Sequence, residues 1–135
     1  MWVRGPGSNG RADPLGHVFR TFPRLTDASQ FDNFVQACRG LSYATAAIAS
    51  DEKGEPWLQA GYPHTWYHHV LGPNEHSCQN ETEYDYGAIS ASSRHNGGVN
   101  VLMLDDSVHF VKNSIDLEIW RALGTRNGGE QLDAF

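Results

Sequence analysis

The chain predicts an α+β fold: a small antiparallel sheet, one amphipathic helix, a short C-terminal helix and many loops. Three observations predict it. From Ser93 to Val111 the sequence reads as a loop, a strand, an acidic turn and a second strand, because apolar residues alternate on either side of Asp105-Asp106-Ser107. Phe31, Phe34, Val35 and Cys38 recur at the i, i+3, i+4, i+7 spacing of one buried helical stripe, with Gly40 as the stop. Leu117, Trp120 and Leu123 repeat that pattern over a shorter span, with Ser114 or Asp116 as the N-cap and Gly124 as the end.

Taken in order, residues 1–25 carry Gly5, Pro6, Gly7, Gly10, Pro14, Gly16 and Pro23 with little periodicity, which predicts an irregular leading segment before a globular domain over 26–135. Thr26 or Asp27 can cap the first helix. Leu41 to Ser50 is rich in Ala and Ser and fits strand or helix. Asp51 to Pro56 is a charged turn, and Trp57 to Tyr62 reads as a short strand closed by Gly61 and Pro63. Tyr67 to Leu71 fits strand or loop, Pro73-Asn74 a turn, and the polar, acidic Glu75 to Tyr86 a long loop. In the hairpin, Val99, Val101 and Met103 fall on one face of the first strand and Asn100, Leu102 and Leu104 on the other. Apolar residues on both faces predict a strand covered on each side, or one that packs against a helix absent from this chain. In the second strand Val108 and Phe110 share a face, while His109 and Lys112 suit solvent.

A chain of 135 residues suits one domain with one core. Its formal charge of -6 gives no electrostatic footprint for nucleic acid or an anionic membrane surface, so neither is an expected partner. The longest apolar run, Tyr43 to Ala49, is far shorter than the roughly 20 residues that span a bilayer. Met1 to Gly16 has no apolar core of a signal peptide or prepilin leader. Cys38 and Cys78 leave two readings open. They pair if the chain reaches an oxidising compartment; otherwise Cys38 is a buried helix residue and Cys78 an unrelated loop thiol.

From about Cys38 onward, and most strongly near its C-terminal end, the chain resembles a large prepilin-like family typical of planctomycete bacteria, the prepilin-type processing-associated domain also called domain of unknown function 1559. Its hallmark is a His, nine intervening residues and Asp-Gly. His95 and Asp105 stand at that spacing, and Gly97, Gly98, Asn100, Ser107 and Trp120 also fit, as do Pro73-Asn74 and Cys78 upstream. Asp106 departs from the pattern, standing where the family has Gly. The resemblance implies the pilin-like head of a secreted or surface protein, with other pilin-like subunits or secretion machinery as partners. It implies no catalytic activity and no cofactor. Because family members begin with a basic leader and a long apolar helix, this chain is expected to be a C-terminal portion, extracytoplasmic in its full-length relatives. Loss of that helix would leave an apolar sheet face exposed and favour self-association.

Candidate chemistry is sparse. His64 and His68, four apart, would share a helical face suited to zinc, yet Tyr67, Val70 and Pro73 fit an extended segment equally well. His95 and Asp105 would lie roughly 33 Å apart if the chain between them were fully extended, so they are expected at opposite ends of one strand rather than in one site. Ser90, Ser92 and Ser93 lie near His95 without a nucleophile elbow. Asp105, Asp106, Asp116 and Glu118 lack the alternation of a calcium loop. No catalytic residue is therefore assigned. An alternative from another class is an extracellular domain binding a metal ion or glycan through Trp57, Tyr62, Trp66, Tyr67 and the nearby histidines; the simpler reading has Trp57 and Trp66 anchoring the core.

Overall fold

The computed structural model describes residues 13–21, 28–54, 58–61, 64–80 and 87–130. Along them run β1 (Val18–Arg20), a 3-10 turn (Ala28–Gln30), α1 (Phe31–Arg39), β2 (Ile48–Ser50), β3 (Ser77–Gln79), β4 (Gly87–Ala88), β5 (Gly98–Leu102), β6 (Val108–Lys112) and α2 (Leu117–Leu123). The architecture is α+β with a short C-terminal helix, as the sequence predicts. The strands form two sheets, one of four strands in the order β2-β1-β3-β4 and one of two, the β5-β6 hairpin.

The four-stranded sheet is mixed. β1 pairs antiparallel with β2 but parallel with β3, Phe19 lying opposite Cys78. Two corrections follow. Val18–Arg20 belongs to the segment expected to be irregular, and Ser77–Gln79 to the expected long loop. Strands this short carry no readable alternation, and the pairing that defines them is non-local. They are held by what covers them: Phe19, Phe34, Val35, Cys38, Leu71, Cys78 and Ala88 form one buried cluster. α1 contributes Phe34, Val35 and Cys38 from the predicted stripe and ends at Gly40, whose N–H donates to the Gln36 carbonyl (2.9 Å) while Leu41 N–H donates to that of Cys38 (3.1 Å). Its N-cap is Gln30, without a side-chain cap bond. The proposed caps Thr26 and Asp27 lie outside the described residues. Cys38 and Cys78 form a disulfide across 40 residues with Cα atoms 5.9 Å apart, which decides between the two readings of the cysteines.

Residues 41–47 form a turn leading into β2, and 58–61 form a turn and bend instead of the expected strand, whose Trp57 and Tyr62 lie outside the described residues, as does Pro63. The hairpin register is regular from Gly98 opposite Lys112 to Leu102 opposite Val108. Its inner face, Val99, Val101 and Val111, closes on Trp120, which is 0% exposed. The outer face is open: Leu102 is 69%, Val108 65% and Phe110 48% exposed, with Leu104 fully exposed at the turn. Cover on both faces is not found among the described residues, where one helix fills one side; the open apolar face is the other of the two expectations. His109 and Lys112 are exposed as expected, but they lie on opposite faces. α2 begins as predicted, with Asp116 Oδ1 accepting from the N–H of Glu118 (2.9 Å) and Ile119 (3.2 Å).

A strap over residues 67–76 joins the two sheets. Trp120 Nε1 donates to the Leu71 carbonyl (2.8 Å), and Leu71 itself is buried in the disulfide cluster. Asn74 sits at φ 61°, the left-handed region that Asn tolerates better than most residues. There its N–H reaches the Ala91 carbonyl (2.8 Å), its Oδ1 accepts from Ser93 N–H (2.7 Å) and its Nδ2 donates to Asn113 Oδ1 (2.8 Å). Glu75 completes the junction through a salt bridge to Arg39 of α1 (2.9 Å). Among the described residues no helix is long and apolar enough to cross a membrane.

Candidate functional site

The strap and the segment after β4 run side by side, and two serines of the latter meet a lysine from the turn after β2. Lys53 Nζ donates to Ser92 Oγ (2.5 Å) and Ser90 Oγ (3.2 Å). Ser90 is buried, its hydroxyl donating to the Glu75 carbonyl and lying 3.2 Å from Ser77 Oγ. Ser77 Oγ in turn accepts from Ser90 N–H (3.0 Å), which leaves the Ser77 proton to point at Ser90. Burial removes water from the Lys53 ammonium and lowers its pKa to about 8, with the charge of Asp13 acting weakly the other way. Asp13 is itself paired with Arg94 (2.6 Å). Burial raises the Asp13 pKa, but the Leu15 N–H and the Arg94 guanidinium outweigh it and leave the carboxyl below its usual value.

Ser92 is exposed and opens on a cavity of about 300 Å³ whose wall includes Tyr67, Ser93, His95, Val99 and Asn100. That volume is at the small end of ligand pockets. Burial raises the Tyr67 pKa, keeping its hydroxyl protonated.

The motif residues divide between this cavity and the hairpin. His95 is exposed, lines the cavity, and donates its N–H to Ser93 Oγ (3.1 Å). Gly97 has φ 84°, and a side chain at Gly98 would run into the Val111 carbonyl oxygen, so the pair is needed for the chain to turn and pass close to β6. Asn100 is exposed on β5 opposite Phe110. Asp105 accepts from the Ser107 hydroxyl (2.6 Å) and N–H (3.0 Å), bonds that lower its pKa. Asp106 follows at φ 65°. The whole of β5 separates His95 from Asp105. Trp120 is the buried anchor already described.

The other candidates do not assemble. Residues 64–68 are a turn followed by irregular chain, so His64 and His68 share no helical face. His64 Nδ1 lies 3.8 Å from a Glu52 carboxylate oxygen, and His68 Nδ1 accepts from Ile89 N–H (3.2 Å), burial lowering the His68 pKa. Cys38, His76 and Cys78 are close enough to hold a metal ion, but both sulfurs are spent on the disulfide and His76 Nε2 donates to the Cys38 carbonyl (2.5 Å). Asp116 is occupied as a helix cap. Trp66 is 60% exposed, so it does not anchor the core. Sequence reasoning weighed Ser90 and Ser92 beside His95 and missed Lys53, because nothing in a charged turn signals a lysine that folds back onto residues almost forty positions later.

Residues 16–118 match the family model described as "Protein of unknown function (DUF1559)". The chain belongs to the DUF1559 family. No curated protein and no solved structure matches it. The DUF1559 match takes in the whole disulfide-linked sheet and the hairpin with its preceding loop, and ends in the first turn of α2.

Proposed function

We propose that this DUF1559 chain is a non-enzymatic structural and interaction module, the globular head of a pseudopilin-like secreted or surface protein acting in a type II secretion or type IV pilus-like assembly. The observation that carries this reading is the one-sided hairpin. Its inner face is filled by Trp120 while Leu102, Val108 and Phe110 stand open on the outer face, a continuous apolar surface of the sort that marks a contact with another chain. The disulfide supports an extracytoplasmic location, since such bonds persist where glutathione and thioredoxin do not reduce them. Other pilin-like subunits are the expected partners. A photo-crosslinking residue at position 110, introduced in cells that make the assembly, should join the chain to a pilin-like subunit. The same residue at the exposed Thr45 should not. Equal yields at both positions would remove the support for an interaction face.

A second reading, glycan binding, has one observation in its favour. Trp66 is 60% and Tyr67 41% exposed, so two aromatic faces are available to sugar rings. Calorimetric titration against a glycan panel tests it, and micromolar binding lost in Trp66→Ala would place this role ahead of the first.

A further inference from the structure

We propose that Ser92 is an acyl-acceptor site, its hydroxyl activated by Lys53 and aligned by Ser90, which takes a small acyl group from an activated ester or thioester. The inference goes beyond the structural role and does not depend on it.

The hydrogen-bond directions single out Ser92. Ser90 gives its one hydroxyl proton to the Glu75 carbonyl, so it can only accept from its other neighbours, and its two lone pairs face Lys53 and Ser77, which leaves the Ser92 proton to the base. Ser92 has no such commitment to a buried carbonyl; its contact with the Ser90 carbonyl is long, at 3.4 Å. Its oxygen lies 2.5 Å from Lys53 Nζ, within reach of direct proton transfer. A serine beside a lysine of lowered pKa is one of the known ways to make a hydroxyl nucleophilic. Ser90 is a positioning residue: bonded to Nζ and 3.2 Å from Ser92 Oγ, it holds the base against the acceptor. The cavity supplies the remaining requirement. Ser92 opens on it, Val99 and Val101 give it an apolar wall and Tyr67 an aromatic one, and its volume admits a short acyl chain.

In the step itself, neutral Lys53 Nζ takes the Ser92 proton as Oγ bonds the carbonyl carbon. The carbon–oxygen or carbon–sulfur bond to the leaving group then breaks, and the proton passes from Nζ to the departing oxygen or sulfur. Three ionisable groups bear on the base: Asp13 favours its charged form, Arg94 is paired with Asp13, and His95 stands on the cavity wall. Only the neutral amine can accept a proton. With a pKa of about 8, its neutral fraction is about a tenth at pH 7 and about nine tenths at pH 9.

The test treats the disulfide-intact protein with p-nitrophenyl acetate and maps the acetyl group by intact mass and peptide mass spectrometry. One acetyl group should enter through Ser92, its rate rising about tenfold from pH 7 to pH 9 and then levelling. Labelling of a serine deprotonated only by hydroxide would keep rising about tenfold per pH unit. Ser92→Ala should abolish this labelling, and Lys53→Gln should slow it about a hundredfold or more. Ser90→Ala, which keeps both reacting groups, should lower the rate while Ser114, an exposed serine elsewhere, stays unlabelled. Labelling of Ser92→Ala at the wild-type rate, or a rate that never levels with pH, would overturn the proposal. Because Ser92 is exposed, its alanine variant keeps the fold and the result stays readable even if Lys53→Gln does not fold.

Discussion

The molecule has two cores built on opposite principles. The four-stranded sheet uses strands of two or three residues, joins segments from positions 18 to 88, and relies on α1 and the Cys38–Cys78 bond to stay together. The hairpin and α2 occupy one stretch from Gly98 to Leu123, with five-residue strands, a five-residue turn and one tryptophan as the filling. Local contacts are cheap in chain entropy, whereas each distant pairing must first close a long loop. The hairpin can therefore form from its own sequence. The sheet needs a covalent tie because its ladders are too short to offset the ordering of so many segments.

The largest effect that would test this division comes from Trp120→Ala. It empties the centre of the hairpin core and leaves the buried Leu71 carbonyl without its indole donor, for a loss of about 5 kcal/mol. Chemical denaturation at pH 7 measures the total, and amide exchange locates it. The division predicts that β5 and β6 lose protection while β1 and β3, still tied by the disulfide, retain most of theirs. Equal loss in both would show that the two clusters unfold as one cooperative unit.

Removing the tie should do the converse at slightly smaller cost. Closing a loop of 40 residues in the unfolded chain is worth about 4 kcal/mol by the chain-entropy estimate, so the Cys38→Ala/Cys78→Ala double variant should lose about that much stability. Here β1 and β3 should lose exchange protection first, with the near-ultraviolet signal of Trp120 persisting to higher denaturant. A variant that denatures at the wild-type midpoint would mean the sheet core holds without its bond.

Asn74 belongs to both regions, and a pair of substitutions separates its two contributions. Asn74→Gly keeps the left-handed backbone but removes the bonds to Ser93 and Asn113, costing about 2 kcal/mol. Asn74→Ala removes the same bonds and adds about 1 kcal/mol of backbone strain. Both should weaken the coupling between the cores, so that the two amide-exchange zones separate further than in the wild type. If Asn74→Gly matched the wild type, the strap would owe its position to Trp120, Leu71, Glu75 and the backbone bond to Ala91 rather than to the Asn74 side chain.

The same contrast decides what could be read from the sequence. The hairpin, the caps at Asp116 and Gly124 and the buried Trp120 were legible because each signal lies within a few residues of its consequence. The stripe of α1 was legible for the same reason. Val18–Arg20 and Ser77–Gln79 were not: Pro14 and Gly16 beside one, and Ser77 and Gln79 in the other, mark a loop locally, and only the parallel pairing between them makes them strands. The Lys53–Ser90–Ser92 cluster was hidden in the same way, its lysine and serines far apart in the chain. The outer face of the hairpin was legible only in part, for a different reason. Alternation tells which residues share a face, not whether anything covers it.

The smallest effect sits at the hairpin turn and tests how self-contained that region is. Asp106 holds φ 65° with a side chain that no hydrogen bond occupies among those at the turn, while Asp105 and Ser107 carry its polar contacts. Asp106→Gly relieves the left-handed strain but enlarges the freedom of the unfolded chain, so the net gain should be only about 0.5 kcal/mol. Since the turn is local, the gain should appear as slower exchange across β5 and β6, measured by amide exchange, with no change in β1 or β3. A gain spread evenly over both sheets would mean that the hairpin draws its stability from the whole molecule, and the division into a local and a tethered core would not stand.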